Sequence, residues 1–175
     1  MRLWIILPIV ALAASACGSH SPTGPSQTGS STGSSSTGGS GTPTSSLTAT
    51  IDGAAFTGTN VTATYHAGTD FSTLLVNALD TGQNLLSFDI GTERRVAFAP
   101  GTFTLGSDGS NATYNPFPTT GNTGFNALNG PQTGSVIVTA FSATAKTASG
   151  TFSFVLHNAS ASKTVTNGAF SVTFP

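Results

Sequence analysis

Charge is what this chain has least of. Only 6% of its 175 residues are Asp, Glu, Lys or Arg, against about 25% in ordinary globular proteins. That scarcity excludes a basic patch, and with it an electrostatic footing for nucleic-acid binding. Cysteine is nearly missing too. Cys17 stands alone, so a disulfide within the chain has no second sulfur to use. No apolar run reaches the ~20 residues that a spanning helix needs, and helical periodicity is almost nowhere. The three histidines, His20, His66 and His157, lie far apart. A metal site needs three or four converging ligands with partners behind them. No metal and no cofactor is therefore expected.

What is present begins with a leader. Met1-Arg2 forms a short positive start, residues 3–12 are apolar, and Ala13-Ala14-Ser15-Ala16 supplies small residues. Residues 1–16 thus read as a secretory signal peptide. Ala14-Ser15-Ala16-Cys17 resembles the bacterial lipobox, with alanine where its first position usually has leucine. The resemblance implies cleavage before Cys17 and attachment of diacylglycerol and a palmitate-type chain to that residue. An ordinary signal peptidase would cut the same bond and leave a free N-terminal thiol. Two or more acyl chains give stable membrane anchoring where one does not. Gly18, rather than Asp, follows the cysteine, which by the same resemblance favours the outer membrane of the cell envelope, periplasmic or surface-facing.

Residues 17–46 form a tether. From Gly18 onward it is almost wholly Ser, Gly, Thr and Pro, which cannot bury enough apolar surface to offset chain entropy. Disorder is expected, with an end-to-end distance of about 30 Å. Gly29-Ser30-Ser31-Thr32-Gly33 fits the nucleophile pattern G-x-S-x-G. That motif works only on a strand-turn-helix elbow, so here it is chance.

Residues 47–175 remain for one domain. Its polarity comes from neutral side chains, with 24 threonines among them. Alternation with a period of two dominates. Leu47, Ala49 and Ile51 alternate with threonines, as do Val61, Ala63 and Tyr65. Residues 71–79 and 85–90 are more continuously apolar, as central strands are. Residues 136–141, 151–157 and 169–174 carry β-branched or aromatic residues at every second place. Asp52-Gly53 reads as a tight turn, and Asn167-Gly168 as a two-residue hairpin. The expected fold is all-β, an antiparallel β-sandwich of about eight or nine short strands. A closed β-barrel is the alternative, because alternation is the same in both.

Two groups of residues resemble an uncharacterised bacterial lipoprotein domain family. The first is Ile51-Asp52-Gly53-x-x-Phe56, a "DG-x-x-aromatic" opening hairpin. The second comprises the strand Ser149-Gly150-Thr151-Phe152-Ser153-Phe154 and the closing hairpin Asn167-Gly168-Ala169-Phe170-Ser171-Val172. The resemblance implies a lipid-anchored β-domain and no activity.

Chemistry is hard to find. Asp52, Asp80 and Asp108 belong to turns, where Asp caps its own backbone. Asp89 and Glu93 form the one close carboxylate pair, and a glycosidase needs two about 5–9 Å apart. A strand end with a local ion pair beside Arg94 and Arg95 explains them more simply. No catalytic residue is assigned, and the chain is not read as an enzyme; a hydrolase is the remote alternative. One segment breaks the strand rhythm. Residues 106–134 are rich in Gly, Asn, Thr and Pro and hold Tyr114, Phe117 and Phe125, which would stack on a sugar ring while nearby amides bind its hydroxyls. Alternatively, Tyr114 and Phe125 fold inward and cap the core, with residues 112–114 as another strand.

The first expectation is therefore an anchored, surface-displayed binding module for a glycan or protein partner. A structural envelope protein without a small ligand comes next. A barrel-type carrier of an apolar small molecule follows, provided Phe88, Phe98, Phe103, Phe152 and Phe154 do not fill the interior.

Overall fold

The computed structural model describes residues 44–175 apart from 93–95, 108, 118–123 and 132. Cys17 and the leader and most of the tether lie outside the described residues, as do His20, Glu93, Arg94, Arg95 and Asp108. Eleven strands follow in order: β1 (Ser46–Ile51), β2 (Ala54–Thr57), β3 (Asn60–Ala67), β4 (Ser72–Leu79), β5 (Leu85–Thr92), β6 (Gly101–Thr104), β7 (Asn111–Asn115), β8 (Phe125–Asn126), β9 (Thr133–Ser142), β10 (Thr147–His157) and β11 (Ser162–Thr173). A 3-10 turn, Ala127–Asn129, separates β8 from β9. The all-β antiparallel expectation holds.

The strands pair as one sheet in the order β2-β1-β11-β10-β8-β7-β5-β4-β3, with β9 also on β10 and β6 on β9. Its two outermost strands, β2 and β3, are consecutive in the chain. At their junction Gly58 N–H donates to Leu47 O of β1, and Thr59 N–H donates to Leu79 O of β4. One bent segment thus joins both edges, and the sheet curls back on itself. Pairing therefore comes closer to the barrel alternative than to two separate layers.

Inside the curl, alternate residues of β4, β5, β10 and β11 supply the core. Leu74, Val76, Leu86, Phe88, Ile90, Leu156 and Val165 are all fully buried. Phe88 is the centre, with its ring 5.3 Å from that of Phe152 and 5.2 Å from that of Phe170. Phe152 in turn stacks on Phe154. A second aromatic group, Tyr65, Phe98, Phe103, Phe141 and Phe174, packs nearer one end, with centroids 4.8–5.8 Å apart. Edge-to-face and offset pairs of this kind add to the burial itself.

Turn chemistry sets the register. Asp52 (φ 49°) and Gly53 (φ 85°) both take left-handed dihedrals, so Ile51 pairs Ala54 across a two-residue hairpin. Asn167-Gly168 departs from expectation. It makes no hairpin but lies within β11, where Asn167 takes φ 51°. Register against β10 shifts between Phe152 and Phe154, so the pair forms a β-bulge. Asn in the left-handed region serves a bulge as well as a turn. Gly168 is required there, because a Cβ would press into the Phe152 ring.

Antiparallel order places the turns alternately at two ends. One end carries Asp52-Gly53, the 80–84 loop and the 158–161 turn. The opposite end carries the 68–71 and 143–146 turns and the point where the chain enters β1. There Thr173 N–H donates to Ser45 Oγ at 3.1 Å.

Candidate functional site

A cleft of about 280 Å³ opens at the first of these ends, lined by Ile51, Asp52, Phe56, Asp80, Asn84, Tyr114 and Lys163 among others. Its parts come from turns and strand ends, each fixed by a local rule. The 80–84 loop is tied by Asp80, which accepts from Asn84 N–H at 2.9 Å and Asn84 Nδ2 at 2.8 Å. Asn84 Oδ1 is then free to accept from Phe117 N–H at 2.9 Å. Tyr114 lies on β7 opposite Leu86 and Phe125, which are buried on the inner face. Its ring therefore enters the cleft from the core side, 6.4 Å from that of Phe125.

Lys163 completes the cleft. It pairs Leu156 across β10 and β11, in phase with buried Val165, so it stands on the inner face at the strand's end. Its Nζ is 2.8 Å from Asp52 Oδ2 and 5.6 Å from the centre of the Phe125 ring. Thr164 N–H donates to Asp52 Oδ1 at 2.8 Å. The Lys163 and Thr164 hydrogen bonds hold the Asp52 carboxyl below its ordinary range. Both partners are solvent-accessible, so the pair positions more than it stabilises. Burial, with Asp80 adding to it, pushes the Tyr114 phenol above its ordinary value. A neutral phenol, an amide, two carboxylates and one ammonium thus surround a floor of aromatic edges.

The three aromatics of the 106–134 segment have distinct places. Tyr114 is half-buried in the cleft, Phe125 is buried beneath it, and Phe117 is 60% exposed beside it. The segment is more regular than its composition suggests, since it contains β7, β8 and the 3-10 turn, which Asn126 caps by accepting from Leu128 N–H. Sequence reading overlooked Lys163. A lone lysine in phase with the buried residues of a strand was the available signal. Asp52 and Asp80 do cap turns, as their Gly neighbours indicate, and they also line the cleft.

Other positions offer less. His66 is exposed on β3, whereas His157 is half-buried, its ring against Gly130 and its Nε2 without a partner among the described residues. No group of three metal-binding side chains occurs among the described residues, and no helix there is long and apolar enough to cross a membrane. A groove of about 400 Å³ on the outer face of β9–β11, lined by Ser135, Ile137, Thr151 and Asn167, carries no titratable group.

Asp89 lies on the outer face of β5, directly opposite Asn111 of β7. Asp89 Oδ1 and Asn111 Oδ1 are both buried and lack partners among the described residues. Burial raises the Asp89 carboxyl above its ordinary value. The folded state then holds that proton more tightly than the unfolded chain does. Its contribution is full below the ordinary carboxylate pKa (about 3.9) and is lost as pH rises through the folded value. Asp89→Asn is expected to stabilise the domain at pH 7 by on the order of 1 kcal/mol, a modest figure because the carboxyl is partly solvated. Thermal melts at pH 7 and pH 4 check this. The gain should shrink at the lower pH, and a variant less stable at pH 7 contradicts it.

Fold and cleft together define a barrel-like β-domain with a polar, aromatic-floored recess at one end. A family model with the description "Domain of unknown function (DUF6252)" matches residues 43–173, and the chain belongs to that family. Comparison with curated proteins and with solved structures finds no match.

Proposed function

We propose that this chain is a lipid-anchored binding module of the cell envelope that presents the end cleft to a neutral glycan. The observation that carries this reading is the position and make-up of the cleft. It sits at the end opposite the chain's entry into β1. Its volume lies near the lower end for ligand pockets (about 300–1,000 Å³), which suits one or two sugar rings. Tyr114 supplies a ring face and a hydroxyl. Asp52, Asp80, Asn84 and Lys163 supply the donors and acceptors that sugar hydroxyls need. The reading assigns no catalysis.

The aromatic packing around Phe88 weighs against the apolar carrier, because those rings occupy the space such a ligand would need. A purely structural envelope role is the reading that remains if no ligand is found.

Thermal unfolding of the mature chain against a panel of neutral glycans tests the proposal. A ligand at a hundred times its dissociation constant stabilises by about 2.7 kcal/mol, raising the midpoint by roughly 10 °C. Tyr114→Ala is expected to abolish the shift, and Phe117→Ser to leave most of it. A panel with no shift, or a shift indifferent to Tyr114→Ala, overturns the cleft as the site.

A further inference from the structure

The end opposite the cleft has an unusual surface. Of the large apolar side chains exposed among the described residues, two meet there: Phe71, 54% exposed in the 68–71 turn, and Val96, 58% exposed just beyond β5. With Tyr65, Ala67 and Ala97 they line an open groove of about 420 Å³. Phe71 is braced by His66, ring centres 6.2 Å apart. Behind the groove lies the aromatic group of Tyr65, Phe98, Phe141 and Phe174, so the protruding side chains stand on a rigid base. The described charges at this end are Asp70 and Lys146, one of each sign, both exposed.

We propose that this end is a membrane-docking surface, on which Phe71 and Val96 insert into the interfacial region of the bilayer that holds the lipid anchor. The inference rests on the lipid-anchor reading of Cys17. Two observations name the occupant. The chain enters β1 at this same end, beside Ser45 and Thr173. Only 26 residues separate Cys17 from Thr44, which limits their reach to at most about 90 Å. Such a tether keeps the patch at millimolar effective concentration over its own membrane, so two apolar side chains suffice where a free domain would dissociate. Amphipathic docking of this kind buries apolar side chains to about 5–10 Å below the headgroup level. Docking at this end also holds the cleft away from the lipid.

Trp4 is the chain's one tryptophan and lies in the leader, so a single introduced indole reports its own depth. The experiment uses full-length lipidated Phe71→Trp, Val96→Trp and Ala54→Trp variants. Each is reconstituted on phosphatidylcholine vesicles with brominated acyl chains and floated, with Cys17→Ser as the anchor control. Ala54 is exposed at the cleft end. The expected result is loss of most indole emission for Phe71→Trp and Val96→Trp, with Ala54→Trp unaffected. Protein that floats but shows no quenching at either tether-end position overturns docking and leaves the anchor standing. Protein that fails to float, like Cys17→Ser, removes the anchor reading and docking with it. Emission from Phe71→Trp that shifts to the blue with protein concentration, without lipid, assigns the patch to a second copy and overturns docking too.

Discussion

Phe88→Ala is expected to be the most damaging truncation in the domain, costing about 3–5 kcal/mol. Phe88 is fully buried at the centre of the curl, touching Phe152 of β10 and Phe170 of β11 from the opposite wall. Its removal takes away apolar burial and two aromatic pairs at once. The cavity cannot collapse, because strands on both sides are locked by continuous pairing to their neighbours. At about 4 °C per kcal/mol for a domain of this size, the midpoint should fall by roughly 12–20 °C. Denaturant and thermal unfolding of the variant check this. A loss below about 1 kcal/mol would mean that the two walls do not meet at Phe88, and the curl would be wrong.

Gly150→Val should rival it by the opposite route. Gly150 lies on β10 between Phe170 and Val138, at an irregularity in the β9–β10 register. A Cβ there would clash with the Ile137 carbonyl oxygen and stand only 2.8 Å from the Phe170 ring. A ring edge can turn aside, but a carbonyl engaged in the sheet cannot. Overpacking of this kind costs about 3 kcal/mol or more, and the β-branched side chain leaves no rotamer of escape. Loss of soluble expression or a midpoint lower by at least about 10 °C is expected. A variant of parental stability would show that β9 and β10 lie farther apart than described.

Much of this architecture was legible in the sequence. Alternation marked β1, β3, β9 and β10, and Asp52-Gly53 fixed a hairpin that the structure repeats residue for residue. The curl was not legible. It depends on Gly58 and Thr59 reaching two strands distant in sequence, and no local pattern encodes that pairing. Asn167-Gly168 was misread because the left-handed dihedral favoured by Asn-Gly serves a hairpin and a bulge alike. What decides between them is the apolar phase, which slips by one residue between Val165 and Phe170 and then continues to Val172, as an extra residue within one strand requires. The cleft was half legible. Tyr114 and Phe125 stood out in the 106–134 segment, but their meeting with Lys163 required the β10–β11 register, which brings together residues 49 positions apart in the case of Tyr114 and Lys163.

The central claim is that the end cleft is where this domain binds. Its most direct test is amide NMR of the mature chain, titrated with whichever neutral glycan raises the melting midpoint most. The account predicts shifts concentrated at Asp52, Asn84, Tyr114 and Lys163. Shifts gathered instead around Ser135, Ile137 and Thr151 on the outer face, or none at saturating glycan, would contradict it.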